Sequence, residues 1–265
     1  MSCIHLFALV QLAMTVSGTG HPATASQATT AAGELGKDGS WARYHVRIKD
    51  YDGTQSSQKV TISSVGRTTE NGRQCRWIEV NQEFIDDLLG SKATYVVKFL
   101  IPEEELVAAE KPLLHVVKSW QKSLNGEISR VDQQPIKDLN EKLNIGYGPF
   151  MLFFPGPMKN TKKLEDPKTV EYQKGRLECE VGVTGRHTTG YRAMTIDVQL
   201  TWTTDYSLWL HKNVPFGFAA ATMKTTKRVQ DDKGTFLFGT PQTRTAEYSL
   251  EDTGTDAKSA LPDND

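Results

Sequence analysis

The segment Arg192–Trp202, with the sequence RAMTIDVQLTW, alternates apolar and polar side chains more regularly than any other part of the chain. Its apolar positions are Met194, Ile196, Val198, Leu200 and Trp202. Side chains two positions apart in a β-strand point to the same face of the sheet. The segment therefore predicts a strand with one buried face and one polar face.

Similar alternation on both sides of this segment extends the β prediction to most of the chain. Ala42, Tyr44 and Val46 occupy alternate positions near the start of the chain. Asn71-Gly72 has the composition of a tight hairpin turn. About ten such segments, joined by short turns, predict an antiparallel meander. We therefore expect a mainly β fold of the α+β type, with a curved antiparallel sheet or an incomplete β-barrel.

The middle of the chain interrupts this pattern. Threonine, which favours strands, is absent from residues 95–160 but frequent on either side. Apolar residues recur there at helical spacing, which predicts helices near 112–124 and 136–144 and a short one at 103–110. We expect a helical insertion at about 103–160, packed on the sheet.

The first 25 residues have the features of an export signal. Leu6–Val16 is an apolar run that is too short to cross a bilayer, and Ala23–Ala25 supplies a small-x-small cleavage pattern. We expect a signal peptide at 1–25 and a periplasmic or secreted protein. The alternative is a buried N-terminal strand.

The remaining residues divide into three parts. Residues 26–40 are expected to form a flexible leader, 41–250 a single β-rich domain, and 251–265 an acidic disordered tail. No segment after the signal is apolar enough to span a membrane as a helix, so we expect no transmembrane segment in the mature chain.

Removal of residues 1–25 leaves two cysteines, Cys75 and Cys179. An even number in an exported chain favours one disulfide between them. The alternative is a pair of separate buried thiols.

Charge and motifs argue against several functions. The chain has 31 Lys and Arg against 32 Asp and Glu, for a net charge of -1, so a large nucleic-acid footprint is not expected. The sequence has no nucleophile elbow, zinc-protease motif or phosphate-binding glycine loop. No two histidines have metal-ligand spacing. We expect no metal, no cofactor, no catalytic residues and no nucleic-acid partner. A protein without enzyme activity is favoured.

An excess of apolar residues points instead to a binding cavity. Some strands are apolar on both faces, as around Tyr95–Leu100, and Pro149–Pro157 is an apolar segment bounded by prolines. We expect a cavity that holds an acyl chain by apolar area alone, without a charged anchor. The alternative is a solid core. The expected lining residues are Met194, Ile196, Val198, Leu200, Trp202, Phe216, Phe150 and Phe153.

Three segments carry a family resemblance. Trp209–Gly217 (WLHKNVPFG), Gly39–Val46 and Cys75–Val80 resemble uncharacterised exported bacterial proteins related to the LolA/LolB lipoprotein-carrier superfamily. The resemblance implies an incomplete antiparallel barrel around apolar lids. The favoured function is then a non-catalytic extracytoplasmic protein that binds a lipid or another apolar ligand. The alternatives are a secreted structural or protein-interaction module with a filled core, which would have a protein partner, and an exported hydrolase.

Overall fold

Antiparallel strands make up most of the protein, as the alternating pattern predicts. The structure is a computed structural model that describes residues 36–86, 91–108, 112–130, 162–179, 181–193, 198–231, 233–237 and 241–261. The strands in these residues are β1 (Trp41–Lys49), β2 (Gln55–Glu70), β3 (Arg73–Asp86), β4 (Ser91–Pro102), β5 (Lys118–Lys122), β6 (Ile128–Arg130), β7 (Lys162–Leu164), β8 (Lys168–Tyr172), β9 (Gly175–Cys179), β10 (Val181–Ala193), β11 (Val198–Leu210), β12 (Phe218–Gln230) and β13 (Gln242–Gly254). Helix α1 (Glu103–Ala108) and a 3-10 helix (Pro112–His115) lie between β4 and β5.

Eleven of these strands form one sheet in the order β6-β5-β4-β3-β2-β1-β13-β12-β11-β10-β7. Each strand pairs antiparallel with its neighbours. The first and last strands, β1 and β13, meet at the centre, and the short strands β6 and β7 are the two edges of the described sheet. The sheet is therefore not a closed barrel, and β8 and β9 form a separate hairpin.

The antiparallel order gives the sheet two distinct ends. The connections that follow β1, β3, β5, β10 and β12 lie at one end, which we call the upper end. The connections that follow β2, β4 and β11 lie at the lower end. The β2–β3 turn confirms the predicted hairpin, because Asn71 and Gly72 both have positive φ, 50° and 76°. Positive φ at both central residues is the requirement of the turn that matches strand twist.

One face of the sheet carries the main hydrophobic core, and we call it the core face. Tyr44 and Val46 of β1, Phe99 of β4 and Leu208 of β11 are all buried in this cluster. The Tyr44 ring stacks on Phe218 with 4.5 Å between centroids, and its hydroxyl donates to the Phe218 carbonyl oxygen. Burial of apolar area at about 25 cal/mol per Å² makes this face the main source of stability.

The opposite face of β3 and β4 is also apolar. Cys75, Trp77 and Leu100 form a second buried cluster there, with Trp120 of β5 packed against it. The sequence-based observation that these strands are apolar on both sides is thus explained. A sheet face that is exposed to water is normally polar. Since this part of the opposite face is apolar, other parts of the chain must cover it.

Part of this cover comes from the C-terminal end of the chain, where a disordered tail was expected from Glu251. Instead β13 continues to Gly254, and residues 255–261, the C-terminal strap, cross the opposite face. The Ala257 amide donates to the carbonyl oxygen of Gly39, and Leu261 is buried. The polar composition misled the prediction because sheet residues satisfy the polar groups of the strap.

The β8–β9 hairpin packs against β13, and its buried residues belong to the main hydrophobic cluster. The Gln173 amide at its tip donates to the carbonyl oxygen of Glu251, which lies at the β-bulge where β13 pairs with β1. The Lys168 ammonium group lies 4.0 Å from the centre of the Trp209 ring. Both contacts are non-local, so neither could be read from the order of residues.

The predicted helical insertion is mostly wrong within the described residues. The short helix expected at 103–110 corresponds to α1, but 112–124 contains only one 3-10 turn followed by strand β5. β5 pairs with β4 along Val96–Leu100. An unpaired β4 edge would leave backbone groups exposed, so sheet pairing overrides the helical spacing. The segments 136–144 and 149–157 lie outside the described residues, as does the predicted signal peptide.

The predicted disulfide is also wrong, since both cysteines are free and buried. Cys75 belongs to the cluster with Trp77 and Leu100, whereas Cys179 of β9 belongs to the main core cluster. The alternative of two separate thiols is the one observed. None of the described helices is long and apolar enough to cross a membrane.

Candidate functional site

Exposed apolar side chains are concentrated at the upper end of the sheet. Among the described residues, the large apolar side chains that are exposed by 38–59% all lie in or next to the upper connections. They are Phe84, Leu124, Ile128, Phe236 and Leu237. At the lower end, by contrast, the β11–β12 loop buries its apolar residues Val214 and Phe216. The two ends of the sheet therefore have different surfaces.

The predicted lining residues of β11 reach this upper end. Val198, Leu200 and Trp202 lie on the same face as Leu208, because all four are separated by even numbers of residues. Val198 is buried, whereas Leu200 and Trp202 are only partly buried. The apolar stripe of β11 thus continues beyond the solid core towards a more open region.

One other predicted lining residue, Phe216, lies away from this place. Phe216 is buried in the lower loop, with φ of 66°. It lies beyond Leu210, and Leu210 is about 26 Å from Trp202 along the strand at ~3.3 Å per residue. Met194, Ile196, Phe150 and Phe153 lie outside the described residues.

Strand register places two cationic residues beside the β11 stripe. Trp202 pairs with Lys227 of β12, and Leu200 pairs with Val229. One step lower, Thr225 of β12 pairs with Arg244 of β13. Together with Tyr51 of the β1–β2 turn, these residues form what we call the upper-end cluster: Tyr51, Leu200, Trp202, Lys227, Val229 and Arg244.

Tyr51 links the two cations of the cluster. The Lys227 ammonium group lies 5.9 Å from the centre of the Tyr51 ring. Burial raises the pKa of Tyr51, and the nearby positive charge of Arg244 opposes that rise. The same charge also opposes the rise that burial causes in the pKa of Tyr248. The charge of Arg244 therefore acts on both phenol groups.

The hydrogen-bonding capacity of Arg244 is not fully used. Its Nε atom is buried and has no hydrogen-bond partner among the described residues. The carboxylate of Asp50 lies 4.0 Å from that atom, which is beyond hydrogen-bonding distance. The side chain is nevertheless 39% exposed, so other donors of the guanidinium can be reached from solvent.

A row of polar side chains crosses the other half of the core face. The Gln82 amide donates to Gln58 Oε1 at 2.7 Å, and the Tyr95 hydroxyl donates to Gln121 Oε1 at 3.3 Å. Gln58 is buried, and its Nε2 atom lacks a partner among the described residues. Sequence reasoning missed this row and the two cations because it followed only the apolar members of each alternation. Polar residues at the even positions of β2, β3 and β13 were the available signal.

No group of three or more His, Cys, Asp or Glu side chains in the described part of the chain could hold a metal ion. The chemistry of the upper-end cluster is that of apolar contact combined with positive charge and hydrogen-bond donors. Such a surface can bind a small ligand, because its aromatic rings provide contact area for an apolar group and its donors can bind a polar group.

Comparison with known proteins adds little to this description. No family model matches the sequence, and no curated protein matches it. One similar solved structure is a candidate exported protein with a YmcC-like fold from Bacteroides fragilis, with 9% identity, a TM-score of 0.29, and coverage of 82% of this chain and 96% of that chain. Another is a candidate lipoprotein from Parabacteroides distasonis, with 10% identity, a TM-score of 0.30, and coverage of 86% and 100%.

TM-scores of this size are too low to carry an argument about this chain. Neither similar structure is described as a LolA- or LolB-like carrier, so the specific resemblance stated above receives no support from them. Its coarser content, a mainly β antiparallel protein, agrees with the fold described here.

Proposed function

We propose that this protein is exported and binds a lipid or another apolar ligand at the upper end of its core face. One observation carries the proposal: the large apolar side chains that are exposed among the described residues all lie at that end of the sheet, and the β11 stripe is only partly buried there. Large exposed apolar side chains confined to one end of a molecule are a feature of surfaces that bind apolar ligands.

The predicted export signal supports the proposed location. Leu6–Val16 and Ala23–Ala25 have the length and the small residues of a cleaved leader. A periplasmic or secreted location also agrees with the descriptions of the two similar structures, and its support here is the leader itself.

The partly buried position of Trp202 makes the proposal testable. A ligand that covers about 60 Å² of apolar surface on this ring gains ~1.5 kcal/mol at 25 cal/mol per Å². That free energy corresponds to about a tenfold change in the dissociation constant. Trp202→Gln should therefore weaken the binding of a neutral apolar ligand by about tenfold.

The measurement is fluorescence titration with N-phenylnaphthylamine, a neutral probe that brightens in apolar surroundings. Thr203→Gln is the matched control, because it places the same new side chain one residue away, where the Thr203 hydroxyl meets Thr188 on the other face of β11. Urea unfolding should show that both variants fold. We expect weaker binding only for Trp202→Gln.

Two results would overturn the proposal. If the unaltered protein does not brighten the probe at micromolar concentration, the site does not bind apolar ligands. A filled-core interaction module would then be the better explanation. If Trp202→Gln and Thr203→Gln weaken binding equally, the ligand is not at the upper end of the core face.

A further inference from the structure

The position of two cations beside the apolar stripe has a consequence for the ligand. Lys227 is the register partner of Trp202, and Arg244 is one strand further and one step lower. A neutral hydrocarbon would form no ion pair and no hydrogen bond with these two cations. A ligand with a negatively charged group at the end of its apolar part would contact both.

The existing partners of the two cations leave capacity for such a group. Among the described residues, Lys227 forms no ion pair, and its ammonium group lies 5.9 Å from the centre of the Tyr51 ring. Arg244 has a buried Nε atom without a partner, and Asp50 at 4.0 Å is its nearest acid. The Arg244 side chain is 39% exposed, so the other N–H donors of its guanidinium group can donate to an incoming acceptor oxygen.

We infer that Arg244 and Lys227 bind the anionic head group, a carboxylate or a phosphate monoester, of an amphiphilic ligand whose apolar chain lies against Leu200 and Trp202. This inference rests on the proposed function and names the chemical class of its ligand. It replaces the sequence-based expectation of binding by apolar area alone. Arg binds carboxylates and phosphates through several parallel hydrogen bonds, which makes it the main anchor.

The test compares an anthroyloxy-labelled stearic acid with its methyl ester, which has the same chain and label but no charge. The unaltered protein should bind the acid about tenfold or more tightly than the ester, because hydrogen bonds to charged groups are stronger than neutral ones. Arg244→Gln should remove that difference and leave the affinity for the ester unchanged. Arg47→Gln is the matched control, since Arg47 is an exposed arginine paired with Glu247.

A second variant is expected to gain affinity, a result that loss of folding cannot produce. Asp50→Asn removes the acid that competes for Arg244, and it should increase the affinity for the labelled acid without changing that for the ester. Dodecyl phosphate and dodecanoate are then compared as competitors, and the stronger one identifies the head group. Inorganic phosphate should not compete at equal concentration, because it lacks the chain.

The outcomes separate this inference from the proposed function. Equal binding of acid and ester, with no effect of Arg244→Gln, overturns the anionic anchor but keeps an apolar site. Displacement of the labelled acid by inorganic phosphate alone would mean that the site binds a free anion, which also overturns the inference. If neither the acid nor the ester binds, the proposed function and the inference both fail.

Discussion

The docking of the C-terminal strap depends on a buried carboxylate, and Glu79→Ala should release it. Glu79 of β3 is 5% exposed and lies opposite Lys98 of β4, which is fully buried. The Ser259 hydroxyl donates to the Glu79 carboxylate at 2.8 Å, and the Ala260 amide donates to it at 3.1 Å. The Lys98 ammonium group donates to the carbonyl oxygen of Leu261 at 3.3 Å.

The size of the effect follows from these contacts. Each hydrogen bond to a charged group contributes about 1.5–3 kcal/mol, and Glu79 accepts from two residues of the strap. The substitution also removes the carboxylate across from Lys98. Two such hydrogen bonds contribute about 3–6 kcal/mol together, and we expect a loss of this size in the free energy of unfolding. Glu79→Gln keeps one acceptor oxygen and should cost about half as much.

The assay is equilibrium unfolding in urea, with hydrogen exchange at the Ala260 amide as a local readout. Glu247→Ala is the matched control, because Glu247 is also the register partner of a cation, Arg47, but both side chains are mostly exposed, at 58% and 70%. Exposed pairs contribute about 0–1 kcal/mol. If Glu79→Ala costs no more than Glu247→Ala and leaves exchange at Ala260 unchanged, Glu79 does not hold the strap.

Two further predictions concern the buried thiols and the response to acid. Burial raises the pKa of the Cys75 and Cys179 thiols, so a thiol reagent at neutral pH should modify both only after denaturation without reductant; rapid reaction of the folded protein would contradict this. Burial raises the pKa of Glu251, but Lys59 and Arg43 outweigh it and hold the pKa below its usual 4.5. The stability that Glu251 contributes is present above that usual value and is lost as pH falls through the lowered pKa in the folded state, so Glu251→Gln should flatten the decline of stability measured in acid, and an unchanged slope would refute the reasoning.

Strand periodicity could be read from the sequence because it is local. The alternation of Tyr44 and Val46 predicts which side of β1 is buried, and Asn71-Gly72 predicts the turn that follows β2. Both predictions are confirmed, since strand faces depend only on position along the chain. The spacing of apolar residues in 112–124 was a weaker guide. There the free edge of β4 decided the structure, and a short segment cannot show which edge it will meet.

The candidate site shows the same division. The stripe that includes Leu200 and Trp202 was visible in the sequence as one side of an alternation. Its cationic neighbours, Lys227 and Arg244, come from two other strands, and only the register between β11, β12 and β13 brings them beside it. The eight-residue list of lining positions failed to foresee that Phe216 lies at the far end of β11.

The sequence by itself determined that the chain forms antiparallel strands with defined faces, because side-chain alternation acts within each strand. Tertiary structure alone decided which strands are neighbours, that β1 and β13 meet at the centre of the sheet, and that the cysteines are apart. It also decided that a polar C-terminal segment packs on Glu79, a contact between residues 180 positions apart. Such contacts depend on complementary groups that meet only after the strands have paired, and the pairing of distant strands cannot be deduced from composition.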